Sequence, residues 1–177
     1  MIPKQHILLN AVLFQLAWFS AALVSWQLAM ALVVAVAVQL LWVQKDKAFH
    51  VMFVAMVVAL GIVMDSLFAV SDVYVFKNSP DTVLGFPIWL MCMWLAFAMS
   101  IRMSLDWLFA KPKIFIVASA IMGPVSYVVG RNLDLIGFEN QHIPWMMLAW
   151  ATWASLACGV SRLLTVFLTP KSPAKLL

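Results

Sequence analysis

Charge is what this sequence has least of. Eleven Lys and Arg and seven Asp and Glu side chains make up 10% of 177 residues, against roughly a quarter in an ordinary soluble domain. With 66% of the chain hydrophobic, a water-soluble fold of this size would have too little polar surface to cover its apolar side chains. Lipid must therefore act as the solvent for much of it. Cysteine is scarce as well. Cys92 and Cys158 both sit inside apolar runs, which reads as two buried thiols rather than a disulfide framework. His6, His50 and His142 are isolated from one another. The absence of HExxH or Cys/His ligand spacing leaves no metal site to expect. No Walker A or GxGxxG segment would cradle a nucleotide and no GxSxG elbow presents a nucleophile, so no cofactor is called for. The basic residues form no stripe on a polar scaffold, which excludes a nucleic-acid binder.

What is present is a series of apolar runs of membrane-crossing length. About 20 apolar helical residues span the roughly 30 Å hydrocarbon layer. The runs predict an all-α, polytopic membrane bundle of six transmembrane helices at 7–24, 27–43, 48–70, 86–108, 114–131 and 143–168, forming one domain over residues 1–177. Charged or turn-rich segments separate them: Gln44-Lys45-Asp46-Lys47, Ser71 to Gly85, Lys111-Pro112-Lys113 and Asn132 to Pro144. Thr169 to Leu177 reads as a polar tail. The first hairpin is the exception, because no Gly or Pro interrupts the 37 residues from 7 to 43. One helix of that length would reach about 55 Å. Two helices with a turn near Ser25-Trp26-Gln27 fit the bilayer better, and a single long helix, giving five crossings, is the competing arrangement. The N-terminal run outlasts a signal-peptide core and lacks a small-x-small site, so an uncleaved N-terminus is expected.

Orientation follows from the basic residues. With the N-terminus inside, Lys4, Lys45, Lys47, Lys111, Lys113, Lys171 and Lys175 face the cytoplasm and only Lys77 and Arg131 lie opposite. Both termini are then cytoplasmic.

Polar residues inside the spans need an account, since a charge in hydrocarbon costs a few kcal/mol or more and usually has a partner. Asp65 is the sharpest case, about 9 Å to the outer side of the third helix's midpoint. Gly61, one turn away, permits a close neighbour. On the fifth helix Ser119, Gly123, Tyr127 and Arg131 recur every four residues and share a face. Tyr127 matches Asp65 in depth, Arg131 can fold its stem inward, and Asp134 follows by three. Asp65, Tyr127, Arg131 and Asp134, with Trp89 as a cavity-lining aromatic, form a candidate ligand-binding group toward the outer leaflet; Trp18, Trp94, Trp150 and Trp153 also face inward by spacing, for packing or as cavity lining. A second group, Arg102, Asp106 and Arg162, lies toward the cytoplasm as a structural anchor or a site for lipid headgroups. Asn10 and Gln15, five apart on the first helix, point in different directions. Ala17 and Ala21, and Ala151, Ser155 and Gly159, are small-residue steps that let helices approach closely. They serve packing or contact with another membrane protein; membrane lipids are the other expected partner.

Several segments together resemble a catalogued family. They are Phe14-Gln15-Leu16-Ala17-Trp18-Phe19, Met64-Asp65-Ser66-Leu67-Phe68, the run from Pro87 to Phe97, Ser104-Leu105-Asp106-Trp107-Leu108, and Gly123-Pro124-Val125-Ser126-Tyr127 with Gly130. The pattern is similar to the uncharacterised bacterial membrane family known as domain of unknown function 2878. The resemblance implies a bacterial inner-membrane protein and a lipid connection, and supplies no activity. Ala17 to Ala21 also resembles the helix contact of substrate-binding subunits in energy-coupling-factor transporters. The favoured reading is a protein that binds or transports a small or amphipathic molecule through an outward-facing polar pocket. A membrane enzyme or accessory factor in lipid modification, with Asp65 and Tyr127 in acid/base roles, is the alternative.

Overall fold

In the computed structural model, which describes residues 2–77 and 79–168, the chain is mostly helical. Among the described residues seven α-helices follow in order: α1 (Lys4–Leu23), α2 (Trp26–Val43), α3 (Lys47–Val70), α4 (Ile88–Ile101), α5 (Asp106–Phe109), α6 (Pro112–Asn132) and α7 (Ile143–Leu168). α1, α2, α3, α6 and the segment Asn140–Leu168 are long and apolar enough to cross a membrane, and α4 is shorter. Lys171, Lys175 and the rest of the polar tail lie outside the described residues, as does Asn78.

The first hairpin turns where the bilayer argument requires. α1 stops at Leu23, and Ser25 then caps α2 with its hydroxyl accepting from the Leu28 N–H at 3.3 Å. A serine cap thus replaces the missing Gly or Pro, satisfying a backbone donor that the helix leaves free.

The fourth span differs from the continuous helix expected over 86–108. α4 ends at Ile101, and a turn through Arg102–Leu105 separates it from the four-residue α5. The exposed bilayer face could not hold such a break, because freed backbone groups would have no partner there. α4, however, is the inner helix of the bundle: no residue from Phe86 to Asp106 is exposed. α1 and α2 pack on one side of it and α3 on another, while α7 joins α3 to α6. The break is held by side chains from its neighbours. Buried Asn10 on α1 accepts from the Ser104 N–H at 3.2 Å, and Gln44 after α2 donates to the Arg102 carbonyl at 2.7 Å. Gln39 receives a long bond from Asn10 and ties down the His6 carbonyl at 2.9 Å.

Two short antiparallel ribbons lie at the other end of the bundle. β1 (Val75–Phe76) pairs with β4 (Ile136–Gly137), and β2 (Thr82–Val83) pairs with β3 (Phe86–Pro87). Trp26 donates to Asp81 at 2.9 Å and His142 meets the Val73 carbonyl at 2.7 Å, which ties these loops to the helix ends.

The centre of the bundle is an aromatic stack set against two glycines. The indoles of Trp94 and Trp150 stack with centroids 5.4 Å apart and planes 16° from parallel. Trp94 lies over Gly61 of α3 and Trp150 over Gly123 of α6, so closely that a Cβ at either glycine would overlap the ring. Trp153 and Phe97 complete the block. Four helices are thus held in register by two glycine–indole contacts and one indole–indole contact, each made by dispersion and ring quadrupoles rather than by charge.

Candidate functional site

Asp65 is completely buried and accepts two hydrogen bonds. Tyr127 Oη donates to its Oδ1, and Trp94 Nε1 donates to its Oδ2 at 2.6 Å. Tyr74 Oη reaches the Asp65 carbonyl at 3.4 Å. Among the described residues no Lys, Arg or His side chain contacts the carboxyl group. Its environment is built from hydroxyl and indole donors on three other parts of the chain: α6, α4 and the loop after α3. Trp150 Nε1 approaches the Tyr127 phenol without reaching hydrogen-bonding geometry.

Of the residues grouped with Asp65 on sequence grounds, Tyr127 meets it and the others do not. Arg131 turns outward. Its guanidinium lies 4.4 Å from the Phe138 ring centroid and donates to Asn140 Oδ1 at 2.8 Å and to the Phe138 carbonyl at 3.3 Å. Partners at the water-facing end spare it the cost of burying a charge. Asp134 pairs with Lys77 at 2.8 Å across the β1–β4 ribbon, both exposed. Trp89 donates to Ser79 Oγ at 3.0 Å. Trp94, which spacing marked only as an inward-facing aromatic, is the carboxylate's second partner. Its role depends on how α3 and α4 pack, and no signal within either helix specifies that.

At the opposite end Arg102 pairs with Asp106 at 3.1 Å, across the α4–α5 break rather than along one helix. The guanidinium sits between the rings of Phe49 and Phe109, 5.6 Å from each centroid. Arg162 is exposed on α7 and takes no part in this group. Ala17 and Ala21 are buried among α1, α2 and α4 side chains, so that small-residue face is occupied within the chain. Ser155 and Gly159 on α7 are exposed, with open space beside Gly159. Among the described residues no three His, Cys, Asp or Glu side chains are gathered so as to hold a metal ion.

A cavity of about 530 Å³ opens in front of this arrangement, within the range of small-molecule sites. α1 contributes Phe14, Gln15, Trp18 and Phe19; α4 contributes Trp94 and Phe97; α6 supplies the opposite wall from Phe115 to Val129. Asp65 and Trp150 lie at its back. The cavity is lined chiefly by apolar and aromatic side chains and, among the described residues, contains no Lys, Arg or His. It exists because α1 packs on α4 and α6 packs on α7, while α6 makes no substantial backbone contact with either α1 or α4. Its mouth is apolar too: Phe19 on α1 (48% exposed) and Met122 on α6 (61%) both line the cavity and reach the surface. Both belong to helices long and apolar enough to cross a membrane.

Together these features define a helical membrane protein with a laterally open, apolar internal cavity. The chain belongs to the family described as "Protein of unknown function (DUF2878)", which matches residues 7–158. No curated protein and no solved structure matches the chain.

Proposed function

We propose that the protein is a six-span protein of the bacterial inner membrane, with its N-terminus in the cytoplasm, that binds or carries an amphipathic, lipid-soluble molecule in the cavity between α1 and α6. α4 counts as the sixth crossing because its shortness is compensated by its place inside the bundle, where none of its residues is exposed, and by α5 beyond the break. The observation that carries the binding reading is the cavity of about 530 Å³ whose exposed rim is apolar. An occupant arriving from the bilayer would leave hydrocarbon for a lining of similar polarity, so entry needs little desolvation. This replaces the outward-facing polar pocket of the sequence reading with a sideways one. An acid/base enzyme in lipid modification is less well supported. Asp65 has no exposed surface and each of its oxygens already accepts a bond. The open face at Ala151, Ser155 and Gly159 suits a close helix contact with another membrane protein.

Two measurements test this reading. Native mass spectrometry of protein released from mild detergent should show a bound lipid-soluble molecule on the wild type. Ala118→Trp, which places a large ring in the cavity, should lose it; equal occupancy in the two proteins would refute the binding reading. For topology, single cysteines placed at Lys45 and Lys111 should be labelled by an impermeant thiol reagent only when the cytoplasmic face is open. One placed at Ser79 should be labelled from the opposite face.

A further inference from the structure

Among the described residues that line the cavity, one hydroxyl and one amide have no hydrogen-bond partner, besides the indole N–H of Trp150 at its back. Ser119 on α6 is more than nine-tenths buried and lines the cavity. Among the described residues its hydroxyl makes no hydrogen bond, even to the carbonyl one turn back, the bond that Ser100, Thr152, Ser155 and Thr165 all make. Gln15 on α1 lines the same cavity from the other side and is exposed, and its amide likewise has no partner. Gln39, one helix away, makes two bonds.

Depth gives this pair its meaning. Gln15 lies about 2 Å from the midpoint of α1 and Ser119 about 4 Å from the midpoint of α6, at 1.5 Å per residue. Both are therefore near the bilayer centre, where no water is available and an unpaired amide or hydroxyl is costly. Polar groups at this depth normally pair with protein, or they mark a ligand path.

We infer that Gln15 and Ser119 together bind one uncharged hydrogen-bonding group, a carbonyl or a hydroxyl, carried by the lipid-soluble occupant of the cavity. The inference rests on the binding function proposed above and specifies its ligand. Gln15 offers donors and an acceptor and Ser119 one of each kind, so either a carbonyl or a hydroxyl is satisfied. A charged headgroup is disfavoured, because among the described residues the lining has no cation and its one acid is already saturated by Tyr127 and Trp94. Apolar parts of the ligand would run along Phe14, Trp18 and Phe97 on one side of the polar pair and Phe115 on the other. The ligand's polar group therefore belongs within its apolar length or at the end of a moiety that reaches the bilayer centre.

The test uses the full-length protein in nanodiscs and three probes of equal chain length: a symmetrical long-chain ketone, the corresponding secondary alcohol and the parent alkane. Saturable binding is read by competition for the native occupant. The wild type should bind the ketone and the alcohol about tenfold or more tighter than the alkane, the ratio expected for one to two hydrogen bonds made in hydrocarbon. Gln15→Leu combined with Ser119→Ala should bind all three probes alike, at the alkane level. Both replacements are apolar and of similar or smaller size, and neither removes a bond within the protein. A wild type without preference, or a double variant that keeps it, overturns the inference while leaving a binding cavity in place. If no probe binds saturably and Ala118→Trp behaves as wild type, the binding function itself fails, and the inference with it.

Discussion

Gly61→Ala and Gly123→Ala are each expected to destabilise the bundle by about 3 kcal/mol, at the upper end of overpacking costs. The corresponding change at Gly159 should leave stability unchanged or raise it slightly. All three glycines lie in helices, where alanine is the better helix former by roughly 0.5–1 kcal/mol, so a rule based on propensity predicts three gains. Packing reverses the sign at two of them. A Cβ at Gly61 meets the Trp94 ring and one at Gly123 meets the Trp150 ring, whereas nothing lies within 4 Å of one at Gly159. The indoles cannot yield freely, because they stack on each other and Trp94 is also bonded to Asp65. Thermal unfolding in mild detergent, followed by loss of the monodisperse peak, would rank the variants. Equal melting temperatures for Gly61→Ala and Gly159→Ala would show that the indoles do not clamp the glycines. If Gly159→Ala instead lowers stability or breaks up a complex, the open face on α7 is a contact surface for another chain.

Asp65→Ala should cost about 4 kcal/mol, because it leaves two buried donors unsatisfied, Tyr127 Oη and Trp94 Nε1, at about 1–3 kcal/mol each. Asp65→Asn should cost less. Its amide oxygen can accept from one donor, but its NH₂ then faces the other. Coupling provides the sharper measurement. Tyr127→Phe in the wild type removes one bond to the carboxyl group, whereas in the Asp65→Ala background that bond is already absent. The second substitution should therefore add little, giving an interaction energy of about 1–2 kcal/mol in a double-mutant cycle. Strictly additive costs would mean that the two side chains do not act as a pair.

The sequence told most where a single helix settles the matter. Apolar run length placed five helices long enough to cross a membrane, and bilayer thickness split residues 7–43 at the turn now seen at Val24–Ser25. Depth along the chain put Asp65 and Tyr127 at one level, and they do meet. Gly61 was readable as room for a close neighbour, though not as the seat of Trp94. What escaped was relative placement. Arg131 and Asp134 share a face or a turn with Tyr127, but their partners Asn140 and Lys77 come from loops whose path helical periodicity does not encode. The interruption at Arg102–Leu105 was hidden because its backbone is satisfied by Asn10 and Gln44, residues from distant parts of the sequence. The cavity was hidden for the same reason. It arises from two helices that do not touch, which no local pattern records.

The enclosure of α4 has a consequence for how the protein is made. Fourteen residues reach about 21 Å, short of the roughly 30 Å that a solitary crossing requires. The segment also ends in an arginine and a turn whose amides depend on other helices. It therefore cannot rest in lipid as an independent unit and await assembly, the first stage of the usual route for membrane helices. α1, α2 and α3 precede it and supply the partners for its broken end, so they must already be gathered when α4 leaves the insertion machinery. α7 then closes over its remaining side through Trp150 and Trp153. The order of synthesis and the order of packing coincide, and the chain builds its bundle around the helix least able to stand alone.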